Sequence, residues 1–258
     1  KSSWYDPLFG IVFLLMFLNW GVEAYKMKFL LRPLEKISFL KSLKSVFAGC
    51  SITMLTPNRT GEFGGRILFL KTENRFKAIS VNIIGSISQL CITMVLGSIS
   101  FYYFLFYSNH DLVKNYWFIS NSFFYTGLIA SLLLLLFYFK VQYFARLVNK
   151  FKSFKKIIRY IEVVQTYQSK ELLTVIIYSF FRYLVFILQY VLILKVMHVE
   201  IDFKMCTMLL MLFYFIMTLA PTIGFTELPV RATLSMLIFG AFSKNQLGIQ
   251  LASLTIWV

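Results

Sequence analysis

Long runs without a charged residue are the feature that most constrains how this chain can fold. No Asp, Glu, Lys or Arg occurs in residues 8–22, 78–109, 116–139 and 205–226, and residues 172–194 contain only Arg182. A helix needs roughly 20 apolar residues to cross the hydrocarbon core of a bilayer, whereas a helix on a water-soluble protein keeps one polar face. With a mean hydropathy of +0.72, the chain is predicted to be an all-α integral membrane protein, a polytopic helical bundle.

The basic residues concentrate in particular connections between these runs. Eleven of the 26 Lys and Arg lie between Lys26 and Lys77 and eight between Lys140 and Lys170, whereas residues 108–115 and 198–203 contain a single Lys between them. This alternation is typical of the positive-inside rule, which places basic connections in the cytoplasm. The net charge of +15 therefore reflects topology, and no nucleic-acid partner is expected.

The order of apolar and basic segments predicts the path of the chain. We expect spans at about 8–25, 78–107, 116–139, 172–195 and 203–219, and a further span from 247 onward. The first runs from outside to inside and the following ones alternate in direction. Residues 1–258 are treated as a single transmembrane domain, and because the sequence stops within an apolar run, further helices are expected beyond both ends.

Residues 143–169 have a different pattern. Apolar residues recur at intervals of three and four, and basic residues fill most other positions. This pattern predicts a basic amphipathic helix that lies on the inner membrane surface and attracts anionic lipid. The alternative is a solvated cytoplasmic linker that packs on the bundle.

Two polar motifs interrupt the apolar chain, "TPNRTGEFGGR" at 56–66 and "APTIGFTELPVR" at 220–231. In each, a proline follows a short apolar helix, a glycine permits a turn, and Glu and Arg stand four residues apart, where they can pair on one helix face. The motifs predict two re-entrant broken-helix hairpins, within residues 26–77 and 203–243. By the predicted topology the hairpins enter from opposite faces, which is the layout of an inverted repeat with a binding site between broken helices.

Charged groups at membrane depth usually face a cavity or each other, so these motifs supply the candidate site. The candidate substrate-binding residues are Asn58, Arg59, Thr60, Glu62, Arg66, Thr222, Glu227 and Arg231. Arg59 and Arg66 are suited to a phosphate, and the alternative is that each Glu/Arg pair is a structural clamp. Secondary candidates are Glu23, expected to pair with Lys26 near the inner interface, Arg182, which either snorkels or faces the pocket, and Gln89, expected to make an interhelical hydrogen bond together with Asn82.

Catalytic and metal chemistry find no support in the sequence. Cys50, Cys91 and Cys206 are far apart in apolar contexts, and no cluster of His, Cys and Asp is visible. No catalytic residue, metal or cofactor is assigned, and a transporter is favoured over an enzyme.

The segments "NWGVEAYKMKFLL" at 19–31, "FAGCSITMLTPNRTGEFGGRILFL" at 47–70 and the second motif at 220–231 resemble the lysylphosphatidylglycerol synthase transmembrane-region family, also called the flippase-like domain family. The first motif here reads Pro57-Asn58-Arg59-Thr60-Gly61, where the family is commonly Pro-Gly-rich. The resemblance implies a lipid-handling protein, and the chain would be a stand-alone member without the soluble synthase domain. It also implies the bacterial inner membrane.

Three functions compete at this point. The first is a flippase-like translocase that moves a membrane phospholipid or lipid-linked intermediate, with its polar head group passing through a central Glu/Arg-lined pocket. The second is a membrane-embedded transferase acting on a lipid head group or a polyprenyl-phosphate sugar, with Glu62 or Glu227 as general base. The third is a non-transporting scaffold of an envelope complex. The sequence leaves the lipid, the direction of transport, the coupling and the oligomeric state open.

Overall fold

Helices make up most of the chain in the computed structural model, which describes residues 7–53, 56, 60–107, 117–149, 160, 162–220 and 226–256. The α-helices are α1 (Pro7–Leu30), α2 (Phe39–Thr53), α3 (Gly61–Ile67), α4 (Arg75–Tyr107), α5 (Trp117–Phe139), α6 (Val141–Asn149), α7 (Ser169–Val196), α8 (Phe203–Leu219), α9 (Glu227–Phe239) and α10 (Gln246–Thr255). Short 3₁₀ helices lie at Thr72–Asn74 and Glu162–Thr166. The prediction of an all-α membrane protein is confirmed, and no strand occurs in the described ranges.

Within the described residues, three helices are long and apolar enough to cross a membrane: Pro7–Leu30, Thr72–Phe104 and Ser169–Val196. A fourth candidate combines α5 with α6, which are bent by 70° between Phe124–Phe139 and Val141–Leu147. Helix α8 is apolar but shorter, at 17 residues. These helices fall where the uncharged runs predicted them.

The predicted basic helix at 143–169 is interrupted in the structure. Helix α6 ends at Asn149, residues 162–166 form a 3₁₀ helix, and α7 begins at Ser169. Of residues 150–161 only Tyr160 is described, and it is helical. Val163 and Val164 of the 3₁₀ helix are buried, so residues 162–166 pack into the protein. The basic residues from Lys150 to Arg159 lie outside the described residues.

The chain forms two compact units, which are described separately. Unit 1 contains Lys1–Leu18, Thr93–Leu132 and Tyr183–Val258, and unit 2 contains Asn19–Ile92 and Leu133–Arg182. Four helices, α1, α4, α5 and α7, contribute residues to both units.

Unit 2 has an apolar core crossed by a few buried hydrogen bonds. Met27, Leu30, Val81 and Leu172 are among its buried residues, together with several others from α2, α5 and α6. The core is tied together by side-chain hydroxyls that reach backbone carbonyls on other elements. Ser42 donates to the carbonyl of Ala24 at 2.7 Å, Tyr138 donates to that of Leu172 at 3.0 Å, and Tyr167 donates to that of Leu30. Such bonds satisfy polar groups that water does not reach.

Unit 1 packs around the aromatic residues of α7, α8 and α9. The rings of Tyr190 and Phe213 lie 5.7 Å apart edge to face, and Phe239 packs against both. Gly97 of α4 lies directly against the Phe215 side chain, where any Cβ would collide with the ring. Asp202 directly precedes α8, and its carboxylate accepts hydrogen bonds from the amides of Lys204 and Met205, as expected for an N-cap.

Candidate functional site: a buried charge cluster in unit 2

Helix α1 carries the centre of the site at the point where its uncharged run ends. Glu23 and Lys26 lie on one face of the helix, three residues apart, and Asn19 lies one turn before Glu23. All three are buried; Glu23 has 1% of its surface exposed. A carboxylate this deep in an apolar core is costly unless it is paired. Its partners lie on three helices, α1, α3 and α7.

Glu23 is shared by three cations. Its Oε1 lies 2.7 Å from Nη2 of Arg66, and its Oε2 lies 2.8 Å from Nζ of Lys26 and 3.0 Å from Nη1 of Arg182. We define Asn19, Glu23, Lys26, Glu62, Arg66 and Arg182 as the buried charge cluster. All six belong to unit 2.

Arg66 reaches Glu23 because α2 and α3 form a tightly packed antiparallel hairpin. Gly61 lies against Ile52 while Gly65 lies against Ala48 and Gly49, so the two helices run in opposite directions. A Cβ at Gly65 would collide with the backbone of Ala48. Close backbone packing of this kind depends on small residues, and it places the start of α3 beside α2.

On α3 itself, Glu62 pairs with Arg66 one turn later. The guanidinium nitrogen Nη2 of Arg66 therefore contacts both the Glu62 and the Glu23 carboxylates. The i,i+4 pair is the one predicted from the first motif, and its contact with Glu23 joins α3 to α1. Arg66 is buried and Glu62 is partly exposed.

The remaining two cations are held by neutral groups as well. Arg182 donates from Nε to Oδ1 of Asn19 at 3.1 Å. Lys26 donates from Nζ to the carbonyl oxygen of Gly85 at 3.3 Å and to the hydroxyl of Ser179 at 3.4 Å. These contacts fix α4 and α7 against α1.

The cluster is not electrically neutral. Counted by formal charge, its three basic side chains, Lys26, Arg66 and Arg182, exceed its two carboxylates, Glu23 and Glu62, by one. Two buried donor nitrogens, Nε of Arg66 and Nδ2 of Asn19, have no hydrogen-bond partner within the part of the chain that the structure describes. Excess positive charge and open donors favour an anionic or acceptor group as a ligand.

The second motif also forms its predicted pair, in unit 1. Glu227 is in the first turn of α9, and its Oε1 accepts a hydrogen bond from Nε of Arg231 at 2.9 Å. Both side chains are largely buried. This pair is described apart from the buried charge cluster because it belongs to the other unit.

The other candidate residues fall in several places. Asn58, Arg59 and Thr222 lie outside the described residues. Thr60 directly precedes α3, and Gln89 is half-buried on α4. Asn82 is buried on α4, and its Nδ2 has no hydrogen-bond partner among the described residues; the interhelical hydrogen bond expected of Asn82 stays a prediction.

Helical spacing predicts one partner for Glu23, Lys26, and assigns no role to Asn19. The predicted Glu23–Lys26 pair is present, but Glu23 also binds Arg66 and Arg182. Arg182, expected either to snorkel or to face the pocket, contacts Glu23 and Asn19 in the structure, with 19% of its side chain exposed. Asn19 could have been found as a polar residue one turn from Glu23 on an otherwise apolar helix.

Fold and site together define an α-helical integral membrane protein with an ion-pair network buried among its helices. The family model of the lysylphosphatidylglycerol synthase transmembrane region matches residues 3–228. The chain belongs to this family, and the resemblance noted from its motifs is confirmed. The match includes the whole buried charge cluster and ends just after Glu227. No curated protein and no solved structure was found to match the chain.

Proposed function

We propose that the protein is a translocase that moves a phospholipid or a lipid-linked intermediate between the leaflets of its membrane. The observation that carries this proposal is the buried charge cluster, with its excess positive charge and open donors, in a member of a family associated with lipid-related processes. The lipid would enter sideways from the bilayer, and its head group would bind at the cluster and be exposed to the two sides in turn.

The chemistry of the cluster favours a head group that contains a phosphate. The planar guanidinium of Arg66 has an Nε without a hydrogen-bond partner among the described residues, and guanidinium binds phosphate oxygens through parallel hydrogen bonds. Asn19 supplies a second open donor from Nδ2. Glu23 holds Arg66 in place, so the donors would be preorganised before the lipid arrives.

We also propose that the two Glu/Arg motifs lie on re-entrant hairpins. The α2–α3 hairpin is interpreted as re-entrant, since α2 has 15 residues and α3 has seven, both too few to cross a bilayer. The segment from α8 to α9 is interpreted as its counterpart in an inverted repeat, because each has Glu in the first turn of the second helix and Arg four residues later. Basic connections would face the cytoplasm of a bacterial cell.

The proposal is tested by measuring leaflet exchange in vesicles that contain the purified protein and a fluorescent phosphatidylglycerol. Arg66→Lys keeps the positive charge but removes the planar guanidinium, which can donate two parallel hydrogen bonds to a phosphate. We expect this variant to slow leaflet exchange about tenfold or more, because it loses one charge-assisted hydrogen bond. Glu62→Gln tests the second partner of Arg66. The matched control is Glu73→Gln, because Glu73 is an exposed carboxylate of the same unit.

Each outcome of that experiment has a defined meaning. Exchange at the parental rate in both cluster variants, with all proteins folded by size-exclusion chromatography, would reject the assigned site. Exchange absent from the parent protein would reject translocation of this lipid. Chemical analysis of lipids extracted from cells that express the protein identifies the competing enzyme, because the cells supply a donor substrate and a transferase would leave a new lipid product. A scaffold would show neither product nor exchange.

A further inference from the structure

A groove at the bend between α5 and α6 is separate from the buried charge cluster. Six side chains line it: Leu133, Leu136 and Phe137 of α5, Lys140 at the bend, and Tyr143 and Phe144 of α6. Its volume is about 500 Å³, which is within the range of small-ligand sites. All six residues belong to unit 2.

The groove is rigid at its base and open at its sides. The rings of Phe137 and Phe144 lie 4.8 Å apart across the bend. The carbonyl of Lys140 accepts hydrogen bonds from the amides of Tyr143 and Phe144 at 2.9 and 3.2 Å, which fixes the turn between the two helices. Leu133 and Leu136 are exposed by 60% and 62%, so the apolar wall faces the surroundings of the protein.

The lining of the groove is almost wholly apolar, and Lys140 at the bend is the one basic residue among the six. Helix α5 contributes only apolar side chains to the groove, and Lys140 follows directly after its last residue. A lysine at the end of an uncharged helix marks the level where hydrocarbon gives way to head groups. The groove therefore offers an apolar wall from α5 with one basic residue at its end, followed by Tyr143 on α6.

The charge at the bend is not compensated by the surrounding sequence. Residues 112–161 contain eight Lys and Arg and no Asp or Glu. Arg146 on α6 is exposed. Among the described residues, the Lys140 ammonium has no ion pair with a carboxylate. An uncompensated cation beside exposed apolar side chains is complementary to an anionic phospholipid.

We infer that this groove binds one anionic phospholipid, with an acyl chain against Leu133, Leu136 and Phe137 and the phosphate at Lys140 and the Tyr143 hydroxyl. The site goes beyond the proposed translocation and shares no residue with the buried charge cluster. The groove is thus a specific candidate site for the anionic lipid that the sequence predicts near residues 143–169.

The test is a titration of the purified full chain in detergent with phosphatidylglycerol or phosphatidylcholine, followed by native mass spectrometry. We expect the first phosphatidylglycerol to bind at least fivefold more tightly than the first phosphatidylcholine. Lys140→Gln should raise the Kd for phosphatidylglycerol about fivefold, or about 1 kcal/mol for one basic group near a head group. Lys195→Gln, the same change at an exposed lysine elsewhere, should leave the Kd unchanged.

A second pair of variants tests the apolar wall. Leu136→Ser should weaken binding of both lipids, whereas Leu132→Ser, at a similarly exposed leucine outside the groove, should not. Both leucines are exposed, so neither change opens a cavity in the core. Equal affinity of the parent for the two lipids, or an unchanged Kd in Lys140→Gln, would overturn the inference. Equal effects of the two serine variants would overturn it as well.

Discussion

Glu23 is the residue on which the buried charge cluster depends, because its two oxygens contact Lys26, Arg66 and Arg182. Glu23→Gln would remove the carboxylate that these three cations share. Breaking a buried ion pair from one side costs about 3–5 kcal/mol, on the order of 10 °C in melting temperature for a chain of this size. We therefore expect a large drop in the thermal unfolding temperature in detergent.

The control for this prediction is Glu73→Gln, which removes an exposed carboxylate of the same unit and should change the unfolding temperature little. The double variant Glu23→Gln/Arg182→Gln should recover part of the loss, because it also removes one of the uncompensated cations. If Glu23→Gln unfolds at the same temperature as Glu73→Gln, the network does not stabilise the fold.

Glu35 gives a prediction about pH outside the spans. The ammonium of Lys41 donates a hydrogen bond to this carboxylate at 2.8 Å and lowers its pKa below the ordinary value of 4.5, and the backbone amide of Lys71 adds a second bond. A lowered pKa in the folded state stabilises the fold above 4.5, and this contribution is lost as the pH falls through the folded-state pKa.

Thermal unfolding of the parent and of Glu35→Gln should therefore differ at neutral pH and converge as the pH falls below about 4.5. The expected difference at neutral pH is about 1 kcal/mol, since 38% of the Lys41 side chain is exposed and water partly screens the pair. A difference that stays constant down to pH 3 would show that the loss comes from packing and not from the charge.

For individual residues, the sequence predicted the contacts between neighbours on one helix and missed those between residues far apart in the chain. Glu62 with Arg66 and Glu227 with Arg231 follow from helical spacing alone, and both pairs are present. The contacts of Glu23 with Arg66 and Arg182 join residues 43 and 159 positions apart, in three different helices. No periodicity within one segment contains that information, so only the packing of α1, α3 and α7 reveals the cluster.

Helices α2 and α3 illustrate how small residues position a functional side chain. A Cβ at Gly65 would collide with the Ala48 backbone, whereas a Cβ at the neighbouring Gly64 would meet nothing within 4 Å. We expect Gly65→Ala to push α3 away from α2, to destabilise the protein by about 1–3 kcal/mol and to slow leaflet exchange by displacing Arg66.

Gly64→Ala is the matched control, because it makes the same change one residue earlier. In a helix, alanine is favoured over glycine by about 1 kcal/mol, so this variant should be as stable as the parent or more so, with unchanged exchange. Equal unfolding temperatures and equal exchange rates in the two variants would contradict the role assigned to close packing in the hairpin.

The helices themselves could be predicted far better than their endings. Uncharged runs located the spans because burial in hydrocarbon excludes charge along the whole segment. The region after α6 was harder, because its apolar spacing suits a helix on the membrane surface, whereas buried Val163 and Val164 place the 3₁₀ helix in the core of unit 2. Spacing along one segment does not show which surface the apolar face contacts.

For the whole molecule, helix α7 makes the topology testable. Its 28 residues extend about 42 Å at 1.5 Å per residue, enough to cross a hydrocarbon core of about 30 Å. Lys170 near its start follows the basic segment that begins at Lys140, whereas Glu200 lies just beyond its end in a connection without basic residues. The positive-inside rule places Lys170 in the cytoplasm and Glu200 outside.

Single cysteines at these two positions distinguish the sides, in a background where Cys50, Cys91 and Cys206 are replaced. Both Lys170 and Glu200 are exposed, so either cysteine should react once reagent reaches it. In intact bacterial cells, a membrane-impermeant maleimide should label Glu200→Cys at once and Lys170→Cys only after permeabilisation. Labelling of both from outside would mean that α7 does not cross the membrane, and the reverse pattern would invert the proposed topology. Either result would also contradict the proposal that the α2–α3 hairpin enters the membrane from the cytoplasm, because that proposal applies the positive-inside rule to the basic segments on both sides of the hairpin.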